Sequence, residues 1–342
     1  MKRLINNNNT DLWKNLFEAA SRYSKHKPWK HFDDNHVFGI QDPASATIGW
    51  CVVLGSADIS TGLIVHLGDE GLNCLMETLY QNFTGLSDDQ IFYMQKAIVM
   101  NFVGPDELDE VDMALYHKLG YIPQKGNKNF SFRRLDPGLY PWYLENKDVK
   151  FMTICLDQVL NVVDLDKQNQ IEVTTFDSDQ LIVMTPSSVG DHIHWIASEV
   201  PIPHDSPEND FIVTSNYITN IRKKYKKKKA SLFLSSQYYQ KPVQDGKGTR
   251  PFYAMILLWI EGLHGKIITS ETLKPDQTWK SFQKSFQSVL KTLGYIPTKI
   301  YVDSEYGYDF LDDLCDRLNI ELIFQRDHEI FADVADSMSD LF

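Results

Sequence analysis

From Ala230 onward the spacing of apolar residues changes period in a fixed order, and that order constrains the fold more than any other feature of the chain. Ser231–Ser235, Phe252–Ile260 and Lys266–Leu273 are rich in β-branched and aromatic residues and read as three strands, the last two forming a hairpin around Gly262 and Gly265. Trp279, Phe282, Phe286, Val289, Leu290 and Leu293 then recur at helical spacing, with Pro275 opening the helix and Gly294 stopping it. Lys299–Asp303 predicts a strand, and Tyr308–Leu318 a helix on the stripe Phe310, Leu311, Leu314, Cys315 and Leu318. Glu321–Phe324 reads as a strand and Phe331–Leu341 as a last helix. The resulting βββαβαβα order places this half in the α/β (α+β) class, where a sheet buries its apolar face under helices.

The first half is also mixed. Asp11–Tyr23 has Leu12, Trp13, Leu16, Phe17, Ala20 and Tyr23 on one stripe after an Asn/Thr cap, which predicts an amphipathic helix. Ile48–Leu54 and Leu63–Leu67 read as an antiparallel hairpin, followed by a helix over Glu70–Tyr80 and a strand over Ala97–Val103. Pro105–Leu119 predicts a helix closed by Gly120, with Pro123 beyond it, and Asn129–Arg134 another strand. Phe151, Met152, Cys155, Val159 and Val163 give a further helix stripe. These patterns suggest an N-terminal α+β domain over residues 10–165, an irregular segment of strands and loops over 166–230, and a C-terminal domain over 231–342. A length of 342 residues fits two cores.

Charge and thiols narrow the function classes. The longest apolar run, Pro251–Ile260, is far shorter than the roughly 18 residues a membrane helix needs, so no membrane partner is expected. Residues 1–10 carry two basic residues and a run of asparagines without an apolar core, which disfavours a secretory route. Cys51, Cys74, Cys155 and Cys315 are scattered, as suits reduced thiols in a cytoplasmic protein rather than a disulfide framework. A net charge of −12 disfavours general affinity for nucleic acid. Against that background Arg222, Lys223, Lys224, Lys226, Lys227, Lys228 and Lys229 form one basic run, a candidate site for an anion, a nucleic acid or an acidic protein partner, with Tyr225 placed to stack on a base. The acid-rich C-terminal region, Asp303 onward, is an equally good partner for it.

The C-terminal element order resembles the ribonuclease H-like fold of integrases and many transposases, in which carboxylates at the ends of the first and fourth strands and on a later helix hold two divalent metals. Tyr301-Val-Asp-Ser-Glu-Tyr-Gly307 puts Asp303 at the tip of the fourth strand with Glu305 beside it, and resembles the integrase Asp-x-Gly-x-Glu turn. The later acid would be Glu329 or Asp333. The first strand, however, offers Ser235, Ser236 and Gln237 where a carboxylate should stand, and Glu261, after the second strand, replaces it only under a different strand register. The expectation is therefore a non-catalytic binding or scaffold protein with no cofactor. The alternatives are a nuclease or phosphotransfer enzyme requiring Mg²⁺ or Mn²⁺ on Asp303, Glu305 and Glu329, and a nucleic-acid-binding accessory. His192 and His194, alternate residues of one extended segment, would project to one face as a metal pair requires, but lack a third ligand at matching spacing.

Several phrases are similar to a bacterial family built from two domains of unknown function. They are Trp13 with Leu16, Ala19 and Ala20, Pro28-Trp29, Asp34, Phe38-Gly-Ile-Gln-Asp-Pro43, Gly49-Trp-Cys51 through Gly55, Leu67-Gly-Asp-Glu-Gly-Leu72, Lys118-Leu-Gly120, Phe132-Arg133, and Pro137-Gly138 before Pro141-Trp142. The second domain of such proteins resembles Arg250-Pro251 onward through Ile300–Asp303 to Leu322. This resemblance implies a domain boundary and a bacterial cytoplasmic setting, and brings no activity with it.

Overall fold

The computed structural model describes residues 9–55, 61–80, 88–175, 178–189, 192–202, 212–262, 265–275, 278–326 and 328–332. It is mixed α+β and divides into two compact units, residues 1–204 and 205–342.

In the first unit, α1 (Thr10–His26) buries Trp13, Leu16, Phe17, Ala20 and Tyr23, as their spacing predicts, and ends at Lys27 in the left-handed conformation. The strands β1 (Val37–Gln41), β2 (Ile48–Leu54), β3 (Gly62–Leu67), β4 (Ala97–Val103), β5 (Asn129–Leu135), β6 (Gln180–Val189) and β7 (His192–Pro201) form one seven-stranded sheet in the order β5-β4-β3-β2-β1-β6-β7. Strand pairs are antiparallel except β1 with β6, which is parallel. Alternation along β2 decides which face each residue serves. Cys51 and Val53 pack with α1 and α5 (Asn146–Lys167), whereas Trp50 and Val52 pack with Leu72 and Leu75 of α2 (Gly68–Leu79).

The hairpin and the strands expected over 97–103 and 129–134 are found, and two differences have physical causes. β6 and β7 carry the sheet of the first unit well past residue 165, because Gly39 and Ile40 of β1 pair with Val183 and Met184. The helix expected over Pro105–Leu119 is split into a 3₁₀ turn, Pro105–Glu107, and α4 (Glu110–Leu119). The break lies at Asp109, whose carboxylate caps the backbone N–H groups of Val111 and Asp112 at 2.8 and 2.9 Å. A short helix, α3 (Asp88–Met94), is additional.

The second unit has a five-stranded sheet in the order β10-β9-β8-β11-β12, made of β8 (Lys226–Tyr238), β9 (Met255–Glu261), β10 (Lys266–Leu273), β11 (Tyr295–Val302) and β12 (Glu321–Phe324). β8, β9 and β10 run antiparallel in turn, while β11 pairs parallel with both β8 and β12. Helices α6 (Ser215–Lys224), α7 (Thr278–Leu293) and α8 (Glu305–Leu318) cover one face, where Leu232, Leu234, Leu257, Trp259, Phe282, Phe286, Leu311 and Leu314 interlock. Phe233, Leu258 and Ile260 on the other face pack with Ile330 and Phe331. β8 is longer than the expected Ser231–Ser235 because four lysines, which carry no apolar signal, form its first turns of pleat. The expected last helix, Phe331–Leu341, lies mostly outside the described residues.

Candidate functional site

Asp303 follows Val302 where β11 ends, and the parallel register that sets Val302 opposite Leu234 brings it beside the next three residues of β8. Its Oδ2 accepts hydrogen bonds from the Ser235 hydroxyl at 2.5 Å and the Gln237 amide at 3.2 Å, and its Oδ1 accepts from the Ser236 backbone N–H at 2.9 Å. The residue is only 5% exposed. Burial pushes the carboxyl above its ordinary range, and the hydrogen bonds from Ser235, Ser236 and Gln237 pull the other way. Next in the chain, Ser304 caps α8 by accepting from Gly307 N–H at 3.0 Å, and its hydroxyl also hydrogen-bonds that of Ser236. A Cβ at Gly307 would stand 3.2 Å from both hydroxyls, so this polar knot is closely packed.

Among the described carboxylates, Glu261 does not join it. Glu261 pairs in register with Leu232, three to five residues before the Asp303 donors, or about 10–17 Å along the strand at about 3.3 Å per residue. By alternation Glu261 follows Trp259 on the helix-covered face, whereas Ser235 follows Phe233 on the opposite one. Glu261 instead accepts a hydrogen bond from the Tyr295 hydroxyl at 2.5 Å, and burial followed by that carboxylate pushes the phenol up to about 12. Glu329 is exposed, Glu305 begins α8 with its side chain outside the described residues, and Asp333 lies outside them altogether. Among the described residues no group of three or more His, Cys, Asp or Glu is placed to hold a metal ion. A two-metal centre needs several anionic oxygens facing one point. Here Asp303 faces three hydrogen-bond donors, and among the described residues no second carboxylate is placed beside it.

The basic run straddles two elements. Arg222, Lys223 and Lys224 end α6, and Lys226, Lys227, Lys228 and Lys229 begin β8, all four exposed. Two of the seven cations cap α8: the Arg222 guanidinium donates to the Arg317 carbonyl, and Lys227 Nζ donates to the Asn319 carbonyl at 2.6 Å. Cations at a helix C-terminus satisfy otherwise unpaired carbonyls and oppose the helix dipole. Lys224 and Lys228 lie over the rings of Tyr225 and Tyr295, at 5.2 and 4.5 Å from the centroids. His192 and His194 are alternate residues of β7, opposite Val189 and Ser187; the His194 side chain is exposed and that of His192 lies outside the described residues.

Residues 13–184 match the family described as Domain of unknown function (DUF7309). The chain belongs to that family. In this DUF7309 chain a second match, to Domain of unknown function (DUF6930), covers residues 217–339. The two matches agree with the two-domain resemblance carried by the N-terminal and C-terminal phrases. The DUF7309 match begins in α1 and ends inside β6, and the DUF6930 match spans β8 to β12. No curated protein matches this DUF7309 chain. Sequence reasoning placed Asp303 at a strand tip and noted Ser235, Ser236 and Gln237, but missed that these three donate to it. Their position at the end of the neighbouring strand was the available signal.

Proposed function

We propose that this DUF7309 chain is a non-catalytic binding or scaffold protein of the bacterial cytoplasm, and that its second unit is a ribonuclease H-like core without a catalytic metal pair. The sheet order β10-β9-β8-β11-β12, with β11 and β12 parallel to β8, supports the fold assignment. The single observation that carries the functional reading is the Asp303 carboxylate, buried and engaged by Ser235, Ser236 and Gln237. Its oxygens tie the fourth strand to the first, a structural task that competes with binding a cation. Four buried free thiols suit a reducing compartment.

The test incubates the full chain with Mn²⁺ or Mg²⁺ and single-stranded DNA, duplex DNA, RNA and an RNA–DNA hybrid, alongside Asp303→Asn. The expected result is no metal-dependent cleavage by either protein. The variant should lose about 1–3 kcal/mol of stability, because its amide NH₂ meets donors and leaves one unpaired. Metal-dependent cleavage by the wild type that disappears in Asp303→Asn would overturn the reading in favour of a nuclease or phosphotransfer enzyme using Asp303, Glu305 and Glu329. The exposed lysines at the start of β8 support a second reading, a nucleic-acid-binding accessory. That reading requires salt-sensitive binding of the same nucleic acids, lost when Lys226–Lys229 become Gln.

A further inference from the structure

The edges of the two sheets differ sharply in how they are protected against pairing with another strand. β5 carries Arg133 and Arg134 in ion pairs with Asp109, Asp112, Asp136 and Asp148, and Arg134 exchanges two backbone hydrogen bonds with Trp142 at 2.6 and 2.9 Å. β10 begins with exposed Lys266 and has a register shift between Ile267 and Thr269. β12 is 4 residues long, and the projecting start of β8 is four lysines. Short length, irregular register, proline and charged side chains, lysine above all, are devices by which exposed edges avoid association. Of these β7 has only Glu199 and, at its last position, Pro201. It runs 10 residues in unbroken register with β6, and among the described residues no strand pairs with its outer side. It contains no lysine or arginine and one carboxylate, Glu199, and it exposes Ile193 and Ile196 by 53% and 55%.

We propose that the outer edge of β7 is a homodimer interface, where a second copy of the chain pairs antiparallel through its own β7 to make one continuous sheet across a two-fold axis at Ile196. The sequence of β7 is complementary to itself in that register. A two-fold axis perpendicular to the sheet keeps each face on the same side, so residues of like parity meet. Ile196 then stands against Ile196, Trp195 against Ala197, His194 against Ser198, and Ile193 against Glu199. A large ring meets a small side chain, the two copies of Ile196 cover each other, and no charge faces a like charge. A second copy is favoured over an unrelated strand because self-pairing uses both bare edges at once and closes the assembly, whereas any other strand leaves the second molecule's edge open. The net charge of −12 opposes casual association of copies, so contact is directed to a segment nearly free of charge.

The test is sedimentation equilibrium of the full chain beside Ile196→Lys, which places two ammonium groups opposite each other at the axis. Wild type should form a reversible dimer, and the variant should bind itself about tenfold more weakly or not at all, with an unchanged melting temperature. Amide exchange on the wild type provides a readout that needs no variant: the amides of residues 192–201 should gain protection on going from dilute to concentrated protein. A wild type that stays monomeric at every concentration, a dimer equally tight in Ile196→Lys, or a dimer whose formation leaves β7 exchange unchanged would each overturn the assignment.

Discussion

Acid should weaken the first unit through one histidine. His66 lies on β3 between Trp50 of β2 and Ala97 of β4, 3% exposed, and among the described residues its Nδ1 has no hydrogen-bond partner. Burial alone penalises the charged ring and lowers its pKa from 6.5 to about 4. As pH falls, the unfolded chain takes up this proton first, so between these two values the unfolded state binds more protons and stability declines. Above about pH 6.5 the titration of this site contributes nothing, and the loss is complete near the folded value. A difference of two to three pH units at about 1.4 kcal/mol each gives about 3 kcal/mol. The assay is urea unfolding of wild type and His66→Leu at matched pH from neutral to about pH 4, with amide exchange of β2 to β4 reporting the first unit separately. Carboxylates titrate alike in both proteins and cancel in the difference. The variant should gain about 3 kcal/mol relative to wild type across that range. A difference in stability that stays constant with pH would refute the reasoning.

Two further outcomes test the second unit. Ser285→Ala should cost about 1–3 kcal/mol in urea unfolding, because Trp259 Nε1 donates to Ser285 Oγ at 2.8 Å in the buried core and would be left unpaired. Lys227→Gln should lower stability by about 0.5 kcal/mol and raise amide exchange in the last turn of α8, since its ammonium binds the Asn319 carbonyl.

What the sequence revealed follows the range of the interactions that decide each element. α1, the β2–β3 hairpin, α7 and α8 were legible because their apolar periods are local, and so are the glycine stops of α4 and α7: Gly120 and Gly294 both take the left-handed conformation, at φ 78° and 76°. The strand character of 180–201 was only vaguely legible, because β6 is placed by pairing with β1, far away in the chain. The basic run hid a helix end and a strand start, since lysine follows neither apolar period. At the candidate site, the position of Asp303 was readable from its strand, but its chemistry was not. That depends on the register between β8 and β11, which no local pattern encodes, and the same register separates Glu261 from Asp303.

The parallel ladder between β1 and β6 also bears on how this chain is made. During synthesis the strands from β1 to β5 emerge while the outer edge of β1 still waits for Val183 and Met184 to leave the ribosome. A nascent chain is therefore left with a bare central edge for the time needed to translate α5 and the segment behind it. A fragment trimmed to residues 13–184 would still hold Val183 and Met184 to cover that edge, but would lose the second half of β6 and all of β7.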